Sequence, residues 1–319
     1  MSQARKHHYI PRFYLAGFTG EGTDAGRLHV LNLYTGEAWQ STPAAAAHER
    51  DFYRMDGVDD ALAFEKMLAQ IEWNTRGLIQ EIELSRTLPD PEGERYLELM
   101  FFLSVMVARV PRRRADAAKI AERLGKRMLR GNVASPETWK ATVERLKAKG
   151  LGDFSDVDYG WWKSIVDKEE FTIDMTRGQH LALMMKSIED LYPFLANRKW
   201  HLQVAADDAG EFVCSDHPVT LAWADGRREA RGAPGFMLRE TEVTMPLTRR
   251  LALRGRFEGM NASVTVSKRT VATLNDRTLF LARQVYSPSE DFAWLRCDGK
   301  VGSREDVVKL IAERRESGS

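Results

Sequence analysis

Two adjacent histidines near the start of this 319-residue chain are its most chemically suggestive residues. Only seven histidines occur, and His7 and His8 sit together in the stretch Lys6-His7-His8-Tyr9-Ile10-Pro11-Arg12. An imidazole titrates close enough to neutrality to serve as a general base, a metal ligand or a phosphate partner. Lys6 and Arg12 place positive charge on either side, and Tyr9 adds a polar ring. In an extended segment neighbouring side chains point to opposite faces, so only one of the two histidines can face a given site. The aromatic residues Tyr9, Phe13, Tyr14 and Phe18 predict an arm docked on the protein body. A terminal arm with one packed and one solvated histidine is the plainer alternative.

Carboxylates at helical spacing are the natural complement. Glu65 and Glu72 are two turns apart on one predicted helix face, with Leu68 between them. Together with His8 and Asp216 they form a candidate ligand set for a divalent metal, Mg, Mn or Zn. The plainer alternative pairs Glu72 with Arg76 one turn on. Asp216 belongs to Ser215-Asp216-His217-Pro218, after a predicted strand. There it could be a ligand, a base or an arginine partner, or Ser215 and Asp216 could simply close a turn. Cys214 has no activating neighbour but His217, which disfavours a cysteine nucleophile.

The cations cluster as well. Nine basic residues face two acidic ones between Arg109 and Arg130. Positions 112, 119, 123, 126 and 130 recur at three, four or seven and make one basic face. Such a face draws phosphates by counterion release, and arginine forks such as Arg112 and Arg114 grip them bidentately. The alternative is a solvated helix opposite the acidic stretch Asp153 to Asp158. Arg109 differs, because it ends an apolar helix just before Pro111. It is expected to be partly buried against Glu65, Glu72, Asp216 or a bound anion.

The elements that position these residues follow an α+β order. Residues 1–58 hold the arm and a hairpin, Arg27 to Leu33 returning through Tyr34-Thr35-Gly36-Glu37 into Ala38 to Thr42. Residues 59–197 are read as helical. One helix is capped by Asp59 or Asp60 and runs to about Leu84 on the stripe Phe64, Leu68, Ile71, Leu78 and Ile82. The next, about Glu92 to Val110, is apolar on nearly every face and belongs at a centre. Pro111 restarts the basic helix, Ser135-Pro136 opens another, and Thr176 to Ala196 closes the block. Residues 198–319 turn to strands. Trp200 to Val204 is expected to pair with Glu211 to Cys214, and Thr241 to Pro246 and Arg250 to Arg254 add two more. Ser267 to about Gln284 reads as helix, and Ser303 caps a terminal one. The expectation is a single compact domain over 1–319, a helical centre flanked by an N-terminal β-hairpin and a C-terminal mixed or antiparallel sheet.

Composition narrows the classes. Hydrophobic residues make up 43% and charged residues 29%, the mix of a soluble globular protein. A net charge of +1 leaves no global basic field for nucleic acid. Two distant cysteines without a CxxC exclude an all-cysteine zinc site and a disulfide framework. There is no GxGxxG and no P-loop, and the helix–strand order is not the alternation of a dinucleotide-binding sheet. The polar, basic start lacks a signal-peptide core, and no apolar run is long enough to cross a bilayer. The expectation is a cytoplasmic protein without membrane partners.

The stretch HHYIPRFYLAGF resembles the opening of the domain-of-unknown-function 4238 family. In order, Glu49-Arg50-Asp51-Phe52-Tyr53, Arg109-Val110-Pro111-Arg112-Arg113-Arg114, Ser215-Asp216-His217-Pro218-Val219 and Met245-Pro246-Leu247-Thr248 resemble its later elements. His217 stands where Asn is common. The arm also resembles the first half of an HNH-type nuclease motif, which would make one histidine the general base and its neighbour a metal holder. That motif needs a following Asn and His on a short helix, whereas His29 and Asn32 lie on a predicted strand. These readings converge on a metal-assisted phosphodiester hydrolase, a nuclease of toxin or phage-defence type. His7, His8 and Asp216 are its catalytic candidates, and Tyr9, Arg12, Arg109, Arg112 and Arg114 its binding ones. The partner would be nucleic acid or a phosphorylated small molecule. The alternatives are a non-enzymatic nucleic-acid or nucleotide binding module, or a partner protein of a defence system.

Overall fold

The computed structural model describes residues 6–53, 63–226 and 233–317. The Asp59 or Asp60 cap falls outside the described residues. The chain opens with β1 (Lys6–His8) and α1 (Arg12–Ala16), then β2 (Leu28–Asn32), β3 (Ala38–Ser41) and β4 (His48–Arg50). Six helices follow: α2 (Ala63–Ser85), α3 (Glu94–Ala108), α4 (Pro111–Asn132), α5 (Pro136–Ala148), α6 (Tyr159–Lys168) and α7 (Arg177–Ala196). The last part carries β5 (Lys199–Ala205), β6 (Cys214–Ser215), β7 (Thr220–Trp223), β8 (Thr241–Thr248), β9 (Leu251–Arg256) and β10 (Ala262–Val266). It ends with α8 (Lys268–Phe280), β11 (Gln284–Ser287), β12 (Trp294–Leu295), β13 (Val301–Gly302) and α9 (Arg304–Glu316). This is an α+β protein. Among the described residues no helix is long and apolar enough to cross a membrane. Contacts within the chain gather into two compact units, residues 1–111 with 181–319, and residues 112–180.

The first unit is built around α3, whose residues from Leu99 to Val107 are nearly all buried because no face of it is polar. The stripe of α2, Phe64, Leu68, Leu78, Ile79 and Ile82, is buried with it in one large core. The arm contributes Ile10, Tyr14, Leu15 and Phe18 to the same core, so it is docked. A five-stranded sheet, in the order β10-β5-β9-β8-β7, turns Trp200, Leu202, Val243, Met245 and Leu253 into that core. The alternate residues of these strands form its other, charged face.

Two pairings differ from the sequence reading. β5 does not form a hairpin with residues 211–214. It lies between β9, antiparallel, and β10, parallel, while β6 pairs with β11. The turn at Gly210 is present, with φ of 81°, but it carries the chain from one sheet to another. The β2–β3 hairpin forms, with Leu28 beside Ser41 and Leu31 beside Ala38. It joins β11 and β6 in a four-stranded sheet, order β3-β2-β11-β6. The predicted helix from Ser267 also stops early, at Phe280, because the alternating Gln284-Val285-Tyr286-Ser287 is drawn into that sheet.

In the second unit, Ser135 caps α5 with a reciprocal box to Thr138. Asp158 caps α6, a helix the sequence reading left unassigned. Glu169 takes Lys126 and Arg130 of α4, and Tyr159 donates to the Val133 carbonyl at 3.1 Å. The basic face of α4 therefore meets Glu169, while Asp153 pairs with Lys147 of α5.

A histidine–carboxylate cleft on the N-terminal arm

β1 pairs antiparallel with β4, setting His7 opposite Glu49 and His8 opposite His48. The strand splits the two histidines as its alternation demands. His7 is 3% exposed, whereas His8 turns to the other side. The His7 ring stacks on Tyr53, with centroids 5.7 Å apart. The Tyr53 backbone N–H donates to His7 Nδ1 at 2.8 Å. A ring nitrogen that accepts carries no proton, so neutral His7 bears its proton on Nε2. That Nε2 points at Glu65 Oε2, 3.6 Å away. The gap is too long for a hydrogen bond. Both atoms are buried, and neither has a hydrogen-bond partner among the described residues.

Helical spacing puts Glu65, Leu68 and Glu72 on one face of α2, beside the arm. Arg109, at the end of α3, ties these pieces together. It is 2% exposed, and each nitrogen of its fork is used. Nε donates to the Tyr53 hydroxyl at 3.1 Å, Nη1 to Glu72 Oε1 at 2.8 Å and Nη2 to the His8 carbonyl at 2.6 Å. Of the partners proposed for Arg109, the chain uses Glu72. Arg76, the alternative partner of Glu72, pairs with Asp24. Lys6, His7, His8, Arg12, Tyr53, Glu65, Leu68, Glu72 and Arg109 line one cleft of about 150 Å³.

The side chains of the remaining candidates have other partners. The His8 Nε2–H donates to the Ala44 carbonyl at 3.2 Å. Burial, with the nearby charges of His48, Arg12 and Arg109, lowers its pKa to about 4. Asp216 is not among the cleft's residues. Its Oδ1 accepts from the backbone N–H groups of Arg283 and Gln284, at 2.9 and 3.2 Å, fixing the start of β11. Ser215 Oγ accepts from the His217 N–H at 3.1 Å, so Ser215 and Asp216 close a turn. Burial raises the Asp216 carboxyl, against the pull of those donors. Tyr9 lines a different cleft with Gln284 and Tyr286, and its hydroxyl is pushed up to about 12 by burial and then by Asp216. Arg112 and Arg114 belong to the second unit. Cys214 is fully buried, and burial raises its thiol far above the usual range, so it is no nucleophile.

Of the proposed ligand set, His8, Glu65 and Glu72 line the cleft and Asp216 does not. His7 cannot offer Nε2 to a cation without giving up the Tyr53 N–H. Glu72 is held by Arg109, whose own positive charge opposes a second one. Among the described residues no group of three or more His, Cys, Asp and Glu side chains could hold a metal ion. The HNH likeness also ends here. His29 and Asn32 lie on β2, and Asn32 Oδ1 accepts from Tyr34 and Thr35 N–H to shape the hairpin turn.

The sequence reading passed over Tyr53 as a site residue. Its ring and backbone N–H hold His7, and its hydroxyl accepts from Arg109. The clue was its place in Glu49-Arg50-Asp51-Phe52-Tyr53, but nothing in that run says which atoms do the holding.

No curated protein and no solved structure matches the chain. The family model described as "Protein of unknown function (DUF4238)" matches residues 6–291, nearly the whole chain, and spans every element of the cleft. The protein belongs to that family.

Proposed function

We propose that the protein hydrolyses phosphate esters, in nucleic acid or in a phosphorylated small molecule, at the His7–Glu65 cleft. One observation carries this reading: two buried polar atoms, a histidine N–H and a carboxylate oxygen, face each other across 3.6 Å with no partner among the described residues. A small outward turn of the Glu65 side chain, which is 37% exposed, lets a single oxygen reach both at hydrogen-bond distance. A water there donates to Glu65 and accepts from His7. Glu65 then acts as general base, drawing a proton from water as the water oxygen attacks phosphorus, and the P–O ester bond breaks with the departing oxygen taking a proton from solvent. The His7 Nε2–H, set as the donor because Nδ1 accepts the Tyr53 N–H, stays a donor throughout and steadies the attacking oxygen. Lys6 and Arg12, both exposed at the mouth, supply charge for the phosphate oxygens. Arg109 serves as a brace, since its donors are taken up by Glu72, Tyr53 and the His8 carbonyl.

This form of the reading routes no step through a metal. The test is a turnover assay on labelled RNA, DNA and an aryl phosphodiester, with Mg, Mn or Zn and, separately, with chelator. Product that persists in chelator is expected. Absence of product under every condition overturns the activity, and a strict metal requirement overturns the mechanism.

A second reading has its own observation. On α4, Arg112, Lys119, Arg123, Arg127 and Arg130 are exposed beside the exposed apolar residues Ile120, Leu124 and Met128. That surface supports nucleic-acid binding without turnover. It predicts salt-dependent affinity that survives replacement of Glu65.

A further inference from the structure

On the charged face of the five-stranded sheet lies a second concentration of cations, separate from the arm. Register sets Lys199 of β5 beside Arg256 of β9, and His201 beside Arg254. Glu242 of β8 shares this face, and its carboxylate is fully buried. It takes Arg254 at 2.7 Å and also pairs with Arg256 and with Arg277 of α8. Burial alone would raise Glu242, but the attraction of Arg277 and Arg254 outweighs it and its pKa is lowered. Glu242 is therefore a fixed anion that three arginines share. The Arg256 Nη2–H is further anchored on the Ala224 carbonyl at 3.0 Å.

Above this core opens a cleft of about 400 Å³, lined by Lys199, His201, Arg239, Arg254 and Arg256, with Glu240 and Glu258 among its walls. That volume is in the range of small-molecule sites. With Glu242 and Arg277 beneath it, five cationic side chains meet three carboxylates, which leaves two positive charges. A phosphate monoester near neutral pH carries close to two negative charges and three acceptor oxygens. Arginines already oriented by a buried carboxylate lose little freedom when they grip it.

We infer that this cleft is a binding site for the phosphate of a small phosphomonoester, seated on Arg254 and Arg256 and closed by Lys199 and Arg239. The site is independent of the His7–Glu65 cleft, so it stands or falls without the hydrolase reading. It suits a ligand that steadies or regulates the protein.

The test is calorimetric titration of the full chain with inorganic phosphate, a nucleoside 5′-monophosphate and the matching nucleoside. Arg254 and Arg256 brace Glu242, so replacing either confounds binding with folding. Lys199 and Arg239 are exposed and stand apart from that network. The variant Lys199→Gln/Arg239→Gln should keep the wild-type melting temperature without ligand. The expected result is binding of phosphate and of the monophosphate but not of the nucleoside, weakened about tenfold or more in the double variant. Equal affinity in the variant overturns the assignment. So does the lack of binding by either phosphate probe at about 10 mM, or nucleoside binding as tight as that of its monophosphate.

Discussion

Replacing Arg109 with methionine separates a brace from a ligand-binding cation. Methionine keeps much of the alkyl stem and removes the guanidinium. Two buried acceptors, the His8 carbonyl and the Tyr53 hydroxyl, then lose their charged donor. Each such loss costs about 1–3 kcal/mol. Glu72 also loses its partner, but its side chain is 27% exposed and water recovers part of that loss. The total expected for breaking a buried, hydrogen-bonded ion pair from one side is about 3–5 kcal/mol. For a unit of this size each kcal/mol lowers Tm by about 2–4 °C, which gives a fall of roughly 6–20 °C. Glu72→Gln keeps an acceptor in place and should cost only about 1 kcal/mol. Scanning calorimetry on both variants decides the matter. If Arg109 instead waits for an anionic ligand, Arg109→Met melts within about 2 °C of wild type, and the bracing argument is wrong.

Three further outcomes follow from the same contacts. His8 titrates near 6.5 when unfolded but near 4 in the fold. Between these values the unfolded chain binds more protons, so stability is complete above about 6.5 and falls as pH drops toward 4. His8→Asn should flatten the decline of Tm across that window, and an unchanged slope would dismiss His8 as its source. Cys297 is exposed and Cys214 buried, so a thiol reagent should label one cysteine in the native protein and two in denaturant. Rapid native labelling of both would contradict the packing of β6. A Cβ on Gly255 would lie 2.8 Å from the Trp200 ring, so Gly255→Ala should cost about 1–3 kcal/mol through overpacking, read as a fall in Tm.

The parts of the fold legible in the sequence are those set by local chemistry. The β2–β3 hairpin announces itself by alternation around Tyr34-Thr35-Gly36-Glu37. Ser135-Pro136 and Ser303 with Asp306 mark helix starts by their caps, and α3 declares its central place by lacking a polar face. What sequence could not supply was the choice among partners far along the chain. β5 has the right pattern for pairing with 211–214, yet β9 and β10 offer longer matching edges, and β6 goes to β11. The site shows the same division. Strand alternation separates His7 from His8, and helical spacing aligns Glu65 with Glu72. Whether Arg109 would meet Glu72 or Asp216, and whether Asp216 would reach the histidines, depended on tertiary contacts. His7's tautomer depended on one backbone N–H, that of Tyr53, which leaves no trace in residue types.

If Glu65 is the base poised beside the His7 donor, Glu65→Gln must abolish cleavage and spare the fold. Glutamine keeps the size of the side chain and removes the proton acceptor. The measurement is the rate of phosphodiester cleavage by wild type and variant, with Tm recorded alongside. The expected result is a loss of about 100-fold or more in Glu65→Gln at an unchanged Tm. A variant that cleaves within a few-fold of wild type, or a wild type with no cleavage to lose, would contradict it.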